Sequence, residues 1–469
     1  LSTLATFAAG FVVRPFGALF FGRLGDLIGR KYTFMVTLLL MGGATFMIGC
    51  IPSYETIGFM APTLVLILRL LQGLALGGEY GGAATYVAEH AGPGQRGYWT
   101  SWIQTTATIG LFVSLIVIMV TKSSMTKEAF EDWGWRVPFW VSILMILVSY
   151  LIRKNMSESP EFAKVKAEGK TSKNPLKESF GHKLNFKFVL LALFGLVMGQ
   201  GVVWYTGQFY AMSFIEKTMG LVDQKGDIMM IAILMATPFF VFFGWLSDRI
   251  GRKWLMLIGI LIAVVSYRPV YKAMYETTSI KNKTEITAKT VLLAETKENK
   301  DALDSVYTTT KEFTDGATWK EVKTVALENG VAKIVDGKPK VDKVTTMVVN
   351  DSDKWMVTLL VFFQIFLVTM VYGPTAAFLV ELFPAKIRYT SMSLPYHIGN
   401  GIFGGLLPAI ATSLVVSAGK LNDAAVAAGN EPVVQDAYLE GLWYPIIIGA
   451  ICFVIGAIYV DGKSTAHKE

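Results

Sequence analysis

Five charged side chains stand inside, or at the ends of, long apolar stretches: Arg14, Arg69, Glu79, Glu89 and Glu381. A charge in a lipid-embedded helix costs several kcal/mol unless it faces a cavity and finds a partner, so each is a candidate for function. Arg69 and Gln72 lie three residues apart, and with Gly73 and Leu76 or Gly77 they form one stripe of a helix. The small residues that follow, Gly77-Gly-Glu-Tyr-Gly-Gly-Ala83, let neighbouring helices approach closely. The stripe is expected to face a central cavity. There Arg69 either holds an anionic substrate, tunes a proton-carrying carboxylate, or makes a structural ion pair. Glu79 has two readings as well, a proton site or the ion-pair partner of Arg14.

A second set is uncharged. Gln200, Trp204 and Gln208 recur at i, i+4 and i+8 and so share a helix face, with Tyr205 beside them. Later stretches add Gln364, Tyr372, His397 and Asn400. Amides and aromatics aimed into a cavity suit a small polar metabolite; the alternative is helix–helix hydrogen bonding and an interfacial aromatic belt. His397 either titrates near neutral pH or is a satisfied structural histidine. No nucleophile–base pair or metal-ligand spacing is visible, and Cys50 and Cys452 lie apart in apolar runs. The sequence therefore gives no reason to expect an enzyme, a metal or a cofactor.

The elements that must carry these residues are membrane helices. Apolar residues make up 53% of the 469 and charged residues 17%, below the roughly 25% of soluble domains, with mean hydropathy +0.47. Apolar spans fall at about 1–21, 32–51, 62–90, 98–121, 136–152, 186–214, 227–247, 254–271, 355–380, 390–417 and 440–460, eleven in all. The loops on one side carry Arg23, Arg30 and Lys31, then Arg96, then nine Lys and Arg between 153 and 187, then Arg249, Arg252 and Lys253, then Lys386 and Arg388. Basic loops stay in the cytoplasm, which places the C-terminus inside and residue 1 outside. The formal charge of +7 is read as this bias rather than as nucleic-acid binding. An odd count that starts outside predicts that one N-terminal helix is missing from a set of twelve. Residues 153–185 read as a cytoplasmic connector, and the polar stretch 272–354 as an extracytoplasmic soluble insert, partly β.

The chain also writes one segment twice. Phe20-Phe-Gly-Arg-Leu-Gly-Asp-Leu-Ile-Gly-Arg-Lys31 returns as Phe242-Phe-Gly-Trp-Leu-Ser-Asp-Arg-Ile-Gly-Arg-Lys253, nine of twelve positions identical at an offset of 222. Each copy is a tight polar turn between two apolar spans. Glu89 and Arg96 likewise match Glu381 and Arg388, at an offset of 292, and the extra 70 residues must enter between 253 and 381, where the polar insert stands. Two pseudo-symmetric bundles follow, 1–152 and 186–271 with 355–461.

These motifs, with Arg69-x-x-Gln-Gly73, Gly77-Gly-Glu-Tyr-Gly-Gly-Ala83 and Glu381-Leu-Phe-Pro-x-x-x-Arg388, resemble the major facilitator superfamily, and within it the metabolite:proton symporters of the sugar-transporter-like group. The likeness covers every span and leaves out only the insert. It implies an all-α membrane protein of two six-helix bundles, here with the first helix missing. The implied activity is proton-coupled import of a small organic acid or zwitterionic osmolyte by alternating access. The implied partners are that metabolite, protons and the lipid bilayer, and the implied setting is a monomer in the bacterial inner membrane. It also implies that Asp26, Arg30, Lys31, Glu89, Arg96, Asp248, Arg252, Lys253, Glu381 and Arg388 form a cytoplasmic gate. Arg69 would correspond to the arginine of the fourth helix, whose acidic partner stands on the absent first helix. A facilitative or proton-coupled sugar carrier on the same fold, or a membrane receptor that does not transport, are the alternatives.

Overall fold

The computed structural model describes residues 10, 12–299, 302–328, 331–332, 334–335, 338–339 and 341–461. The start of the first predicted span and the C-terminal tail lie outside them. Among the described residues ten helices are long and apolar enough to cross a membrane. With no water in the hydrocarbon layer, only a helix satisfies every backbone group of such a segment internally.

In chain order the helices are α1 (Arg14–Ile28), α2 (Arg30–Cys50), α3 (Met60–His90), α4 (Arg96–Ser123), α5 (Gly134–Lys154) and a short connector helix α6 (Pro160–Ala167). They continue as α7 (Lys183–Lys217), α8 (Lys225–Ile250), α9 (Arg252–Thr278), α10 (Asp351–Leu382), α11 (Arg388–Ala427) and α12 (Ala437–Tyr459). The described part of α1 is 15 residues long, so ten spans rather than the expected eleven meet the length of a crossing here. α9 also runs beyond its predicted end at 271, because Tyr271 and Met274 are apolar enough to stay buried among the helices.

The two copies of the repeated segment fold alike. α1 and α2 are joined at Gly29 and α8 and α9 at Gly251, whose φ values of 127° and 92° lie where side chains other than glycine are strained. α1 and α2 pack on α3, and α2 on α5; in the second half α8 and α9 pack on α10, and α9 on α12. The halves meet where α4 lies along α8 and α1 along α11.

Burial separates inner from outer helices. In its most apolar stretch α7 is 67% buried and α5 only 6%. Leu144, Met145, Leu147, Val148, Leu151 and Ile152 of α5 all face outward, as expected of a helix whose solvent is lipid. Two central helices are locally widened. α7 contains π-turns at Leu193–Val197 and Thr206–Tyr210, and α11 one at Gly399–Gly404. Such turns shift the phase of the face they interrupt.

The stretch between α9 and α10 departs from an all-α chain more than expected. Four long antiparallel strands, β1 (Val291–Asn299), β2 (Ala302–Glu312), β3 (Thr318–Glu328) and β4 (Val341–Val348), lie in the order β1-β2-β3-β4, and a two-residue strand, Val331–Ala332, also pairs with β3 in this five-stranded sheet. Val, Thr and Tyr in alternation favour this form, and no helix periodicity competes. The base of the sheet is fastened to the second half. Met347 N–H donates to the Gly220 carbonyl, and Gln224 exchanges two hydrogen bonds with the Val349 backbone, each 2.9 Å.

Candidate functional site: a duplicated gate between two bundles

Each repeated turn places its aspartate at the end of a helix and aims it at the start of a helix in the other half. Asp26 of α1 accepts from the N–H groups of Tyr389 (3.3 Å) and Thr390 (2.8 Å) at the start of α11. Asp248 of α8 accepts from Gly97 and Tyr98, both 2.8 Å, at the start of α4. The first N–H groups of a helix have no partner within it and carry the positive end of its dipole, so a carboxylate is the fitting acceptor. Four residues on, the arginines repeat the symmetry. Arg30 bonds the Gly25 carbonyl and lies 3.1 Å from Asp26, while Arg252 bonds the Ser247 carbonyl and Asp248 at 2.7 Å.

The second pair of motifs joins this frame. Glu89 lies 3.5 Å from Arg30 and 2.7 Å from Arg388 of the other half, and Glu381 lies 2.8 Å from Arg252. Arg30 also reaches across to the Ala385 carbonyl. The helices touch closely enough for this because glycines line the seams. A Cβ on Gly97 would lie 2.3 Å from the Gly244 carbonyl oxygen, and one on Gly22 would lie 2.9 Å from the Thr390 Cα.

The structure brings together eight of the ten expected gate residues. Lys31 and Lys253 stand aside from that network. Their ammonium groups bond the Lys154 carbonyl (2.9 Å) and the Ala457 carbonyl (3.0 Å), at the ends of α5 and α12. They cap the last helix of their own half, where the dipole is negative.

The connector supplies residues that the spacing arguments missed. Glu161 of α6 pairs with Arg96 and with Arg388, the latter at 2.5 Å, and so bridges the two halves. Ser159 caps α6, accepting from Phe162 N–H, and donates its hydroxyl to Glu89. Glu158 accepts from the Arg30 and Lys31 N–H groups at the start of α2. The sequence Glu158-Ser-Pro-Glu161 carried the signal, an N-cap serine followed by proline at the first helical position.

The expected cavity residues are placed less simply. Gly73 and Gly77 face the backbone of Gly10 and Arg14 rather than a central space, so the predicted stripe is a helix contact. Arg69 donates to Gln72 at 3.2 Å, and Gln72 to Thr45 of α2 at 2.7 Å. Glu79 pairs with Arg153 at 3.2 Å and not with Arg14, and Arg153, expected in the connector, belongs to the end of α5 with its guanidinium over the Phe34 ring. Arg14 instead lies within electrostatic reach of Tyr205, Tyr372, Tyr396 and His397.

On the second half Gln200 and Asn400 exchange two amide hydrogen bonds, 2.9 and 3.2 Å. Trp204 packs against Tyr205, Phe209 and Tyr372. Gln208 falls within the π-turn at 206–210. Gln364 donates to the Met274 sulfur, while among the described residues its own buried oxygen and the buried His397 Nε2 have no hydrogen-bond partner.

Two similar helical bundles that meet at duplicated, charged turns define a class of polytopic membrane protein. A family model described as Major Facilitator Superfamily matches residues 2–271, more than half of the sequence, and the chain belongs to that family. Among curated proteins it is 34% identical over 280 residues to a proline/betaine transporter of Escherichia coli (strain K12), covering 58% of this chain and 56% of that one. It is 27% identical over 472 residues to a citrate-proton symporter of Klebsiella pneumoniae, covering 100% of this chain and 84% of that one. The chain thus spans about half the length of the proline/betaine transporter, at 56%. A solved proton:xylose symporter bound to 6-bromo-6-deoxy-D-glucose superimposes with a TM-score of 0.61 over 97% of this chain and 86% of that one, at 14% identity, which speaks for the fold.

Proposed function

We propose that this protein is a secondary transporter of the bacterial inner membrane that imports a small organic acid or a zwitterionic osmolyte together with protons. The observation that carries this reading is the duplicated gate. Two rigid bundles joined by two equivalent sets of breakable ion pairs and hydrogen bonds make a balanced two-state device, which a bound solute and a proton can tip. Arg14, within electrostatic reach of Tyr205, Tyr372 and Tyr396, is the natural holder of a carboxylate. The names of the citrate and proline/betaine relatives point to the same solutes. The basic turns lie in the cytoplasm, so the C-terminus is inside and the sheet at 291–348 is an extracytoplasmic lobe of a monomer.

The test is uptake by purified protein in proteoliposomes. Labelled citrate, proline or betaine is expected to accumulate when the lumen is made alkaline relative to the outside, and an uncoupler is expected to abolish the accumulation. No accumulation of any of the three removes the proposal. Uptake of a sugar instead would favour the second reading, a sugar carrier, for which the paired amides of Gln200 and Asn400 are suitable hydrogen-bonding groups.

A further inference from the structure

From the stacking of two tyrosines across the bundle interface, we infer that Tyr80 and Tyr396 are a thin inner gate, separate from the charge network and set nine and eight residues along α3 and α11 from Glu89 and Arg388. The inference rests on the alternating-access reading above. Tyr80 is on α3 in the first half and Tyr396 on α11 in the second, and their rings lie 3.6 Å apart between centroids and 5° from parallel. Few contacts between the halves are so flat and so local. Both hydroxyls are held: Gln104 of α4 donates to Tyr80 Oη at 3.3 Å, and Tyr396 Oη is hydrogen-bonded to Tyr372 Oη of α10. The backbone beneath Tyr396 is held too, because Asn400, already paired with Gln200, donates to the Tyr396 carbonyl at 3.1 Å. One stack thus ties α3 and α4 to α10 and α11 and is wired through Asn400 to Gln200 on α7.

The same face of α11 carries Tyr389, seven residues towards the charged end, and its hydroxyl donates to the Gly78 carbonyl of α3. A Cβ on Gly81 or Gly82 would lie 2.7 Å from Tyr389 atoms, so the glycines flanking Tyr80 make room for that ring. Tyr389 is therefore an inner wedge in a glycine cradle, while Tyr80 and Tyr396 meet face to face with little interlocking. A flat contact can part when the bundles rock, and its aromatic faces become part of the wall that a solute passes.

The experiment measures spin-label distances between Tyr32→Cys and Trp254→Cys, exposed equivalents at the inner ends of α2 and α9, in a Cys50→Ser, Cys452→Ala background in nanodiscs. Tyr80→Ala and Tyr396→Ala are each expected to raise the long-distance, inner-open population about two- to tenfold, the range of an aromatic pair. The double variant is expected to match the singles, since the two act as one contact. Tyr80→Phe, which keeps the ring and folds readily, is expected to stay near the parent distribution. Unchanged distances in both alanine variants, or additive effects in the double, overturn the inference. Distances that shift in a protein that takes up no citrate, proline or betaine would support the gate while removing the proposed cargo; uptake with unmoved distances would do the reverse.

Discussion

At the scale of single residues, charge meets helix ends at both seams between the halves. Asp248→Asn keeps an oxygen but loses the charge that receives two N–H groups, a difference of about 1.5–3 kcal/mol for bonds to ionised acceptors. The expected outcome is an inner seam that opens at least tenfold more often, read as the rate at which a thiol reagent labels a cysteine at the buried Ser101 position on that seam. An unchanged rate would mean that Asp248 does not hold the seam shut. Gly97→Val acts sterically on the same seam, because its Cβ would meet the Gly244 oxygen at 2.3 Å. Its labelling rate should rise further, with no dependence on salt. Much of this was legible in the sequence: Asp26, Arg30, Glu89, Asp248, Arg252, Glu381 and Arg388 are rare charges at repeated spacings, and duplication marks them. The tyrosines were not legible, since Tyr80, Tyr389 and Tyr396 are unexceptional in an apolar helix until a second helix is laid across them.

At the scale of elements, the connector helix works as a clip. Glu161 is partly exposed, 31% at its side chain, so its pairs with Arg96 and Arg388 are screened and worth less than the buried Arg388–Glu89 bond. Glu161→Gln should therefore raise Ser101→Cys labelling about two- to fivefold, and raised salt should shrink the difference between the variant and its parent. A larger effect than that of Asp248→Asn would make the connector, rather than the seams, the main restraint. Arg153→Ala is a contrast. It leaves Glu79 without its 3.2 Å partner in the first half, so it should lower the melting temperature in detergent without changing the gate. The π-turns of α7, at 193–197 and 206–210, were not legible from periodicity, since neither Gly nor Pro alone marks such a widening.

At the scale of the whole molecule, the base of the sheet is bonded to the second half. Lys283 pairs with Asp315 and with Asp353 at the start of α10. Burial opposes the charged form of Asp315, but the hydrogen bonds from Lys283 and the Ala317 N–H outweigh it and hold its carboxyl below the usual range. Burial opposes Lys283 as well, and the two aspartates outweigh it, raising the ammonium above its ordinary value. A depressed carboxylate stabilises above its unfolded pKa and is lost as pH falls through the folded one; a raised ammonium stabilises below its unfolded pKa and is lost as pH rises through the folded one. The anchor should therefore be fully formed near neutral pH and loosen below about pH 4 and above about pH 10. Hydrogen exchange of residues 313–317 across that range checks it, and a change centred near pH 7 would contradict it.

Rigid halves that rock against each other must part at both duplicated seams together. The amides of Gly97 and Tyr98, held by Asp248, and those of Tyr389 and Thr390, held by Asp26, report the two seams separately. Residue-resolved hydrogen exchange of these four should show protection unusual for the first turn of a helix. In Asp26→Asn all four should lose it together, although Asp248 is untouched. Loss confined to Tyr389 and Thr390, with Gly97 and Tyr98 still protected, would show that the seams open independently and would contradict the rocking of rigid halves.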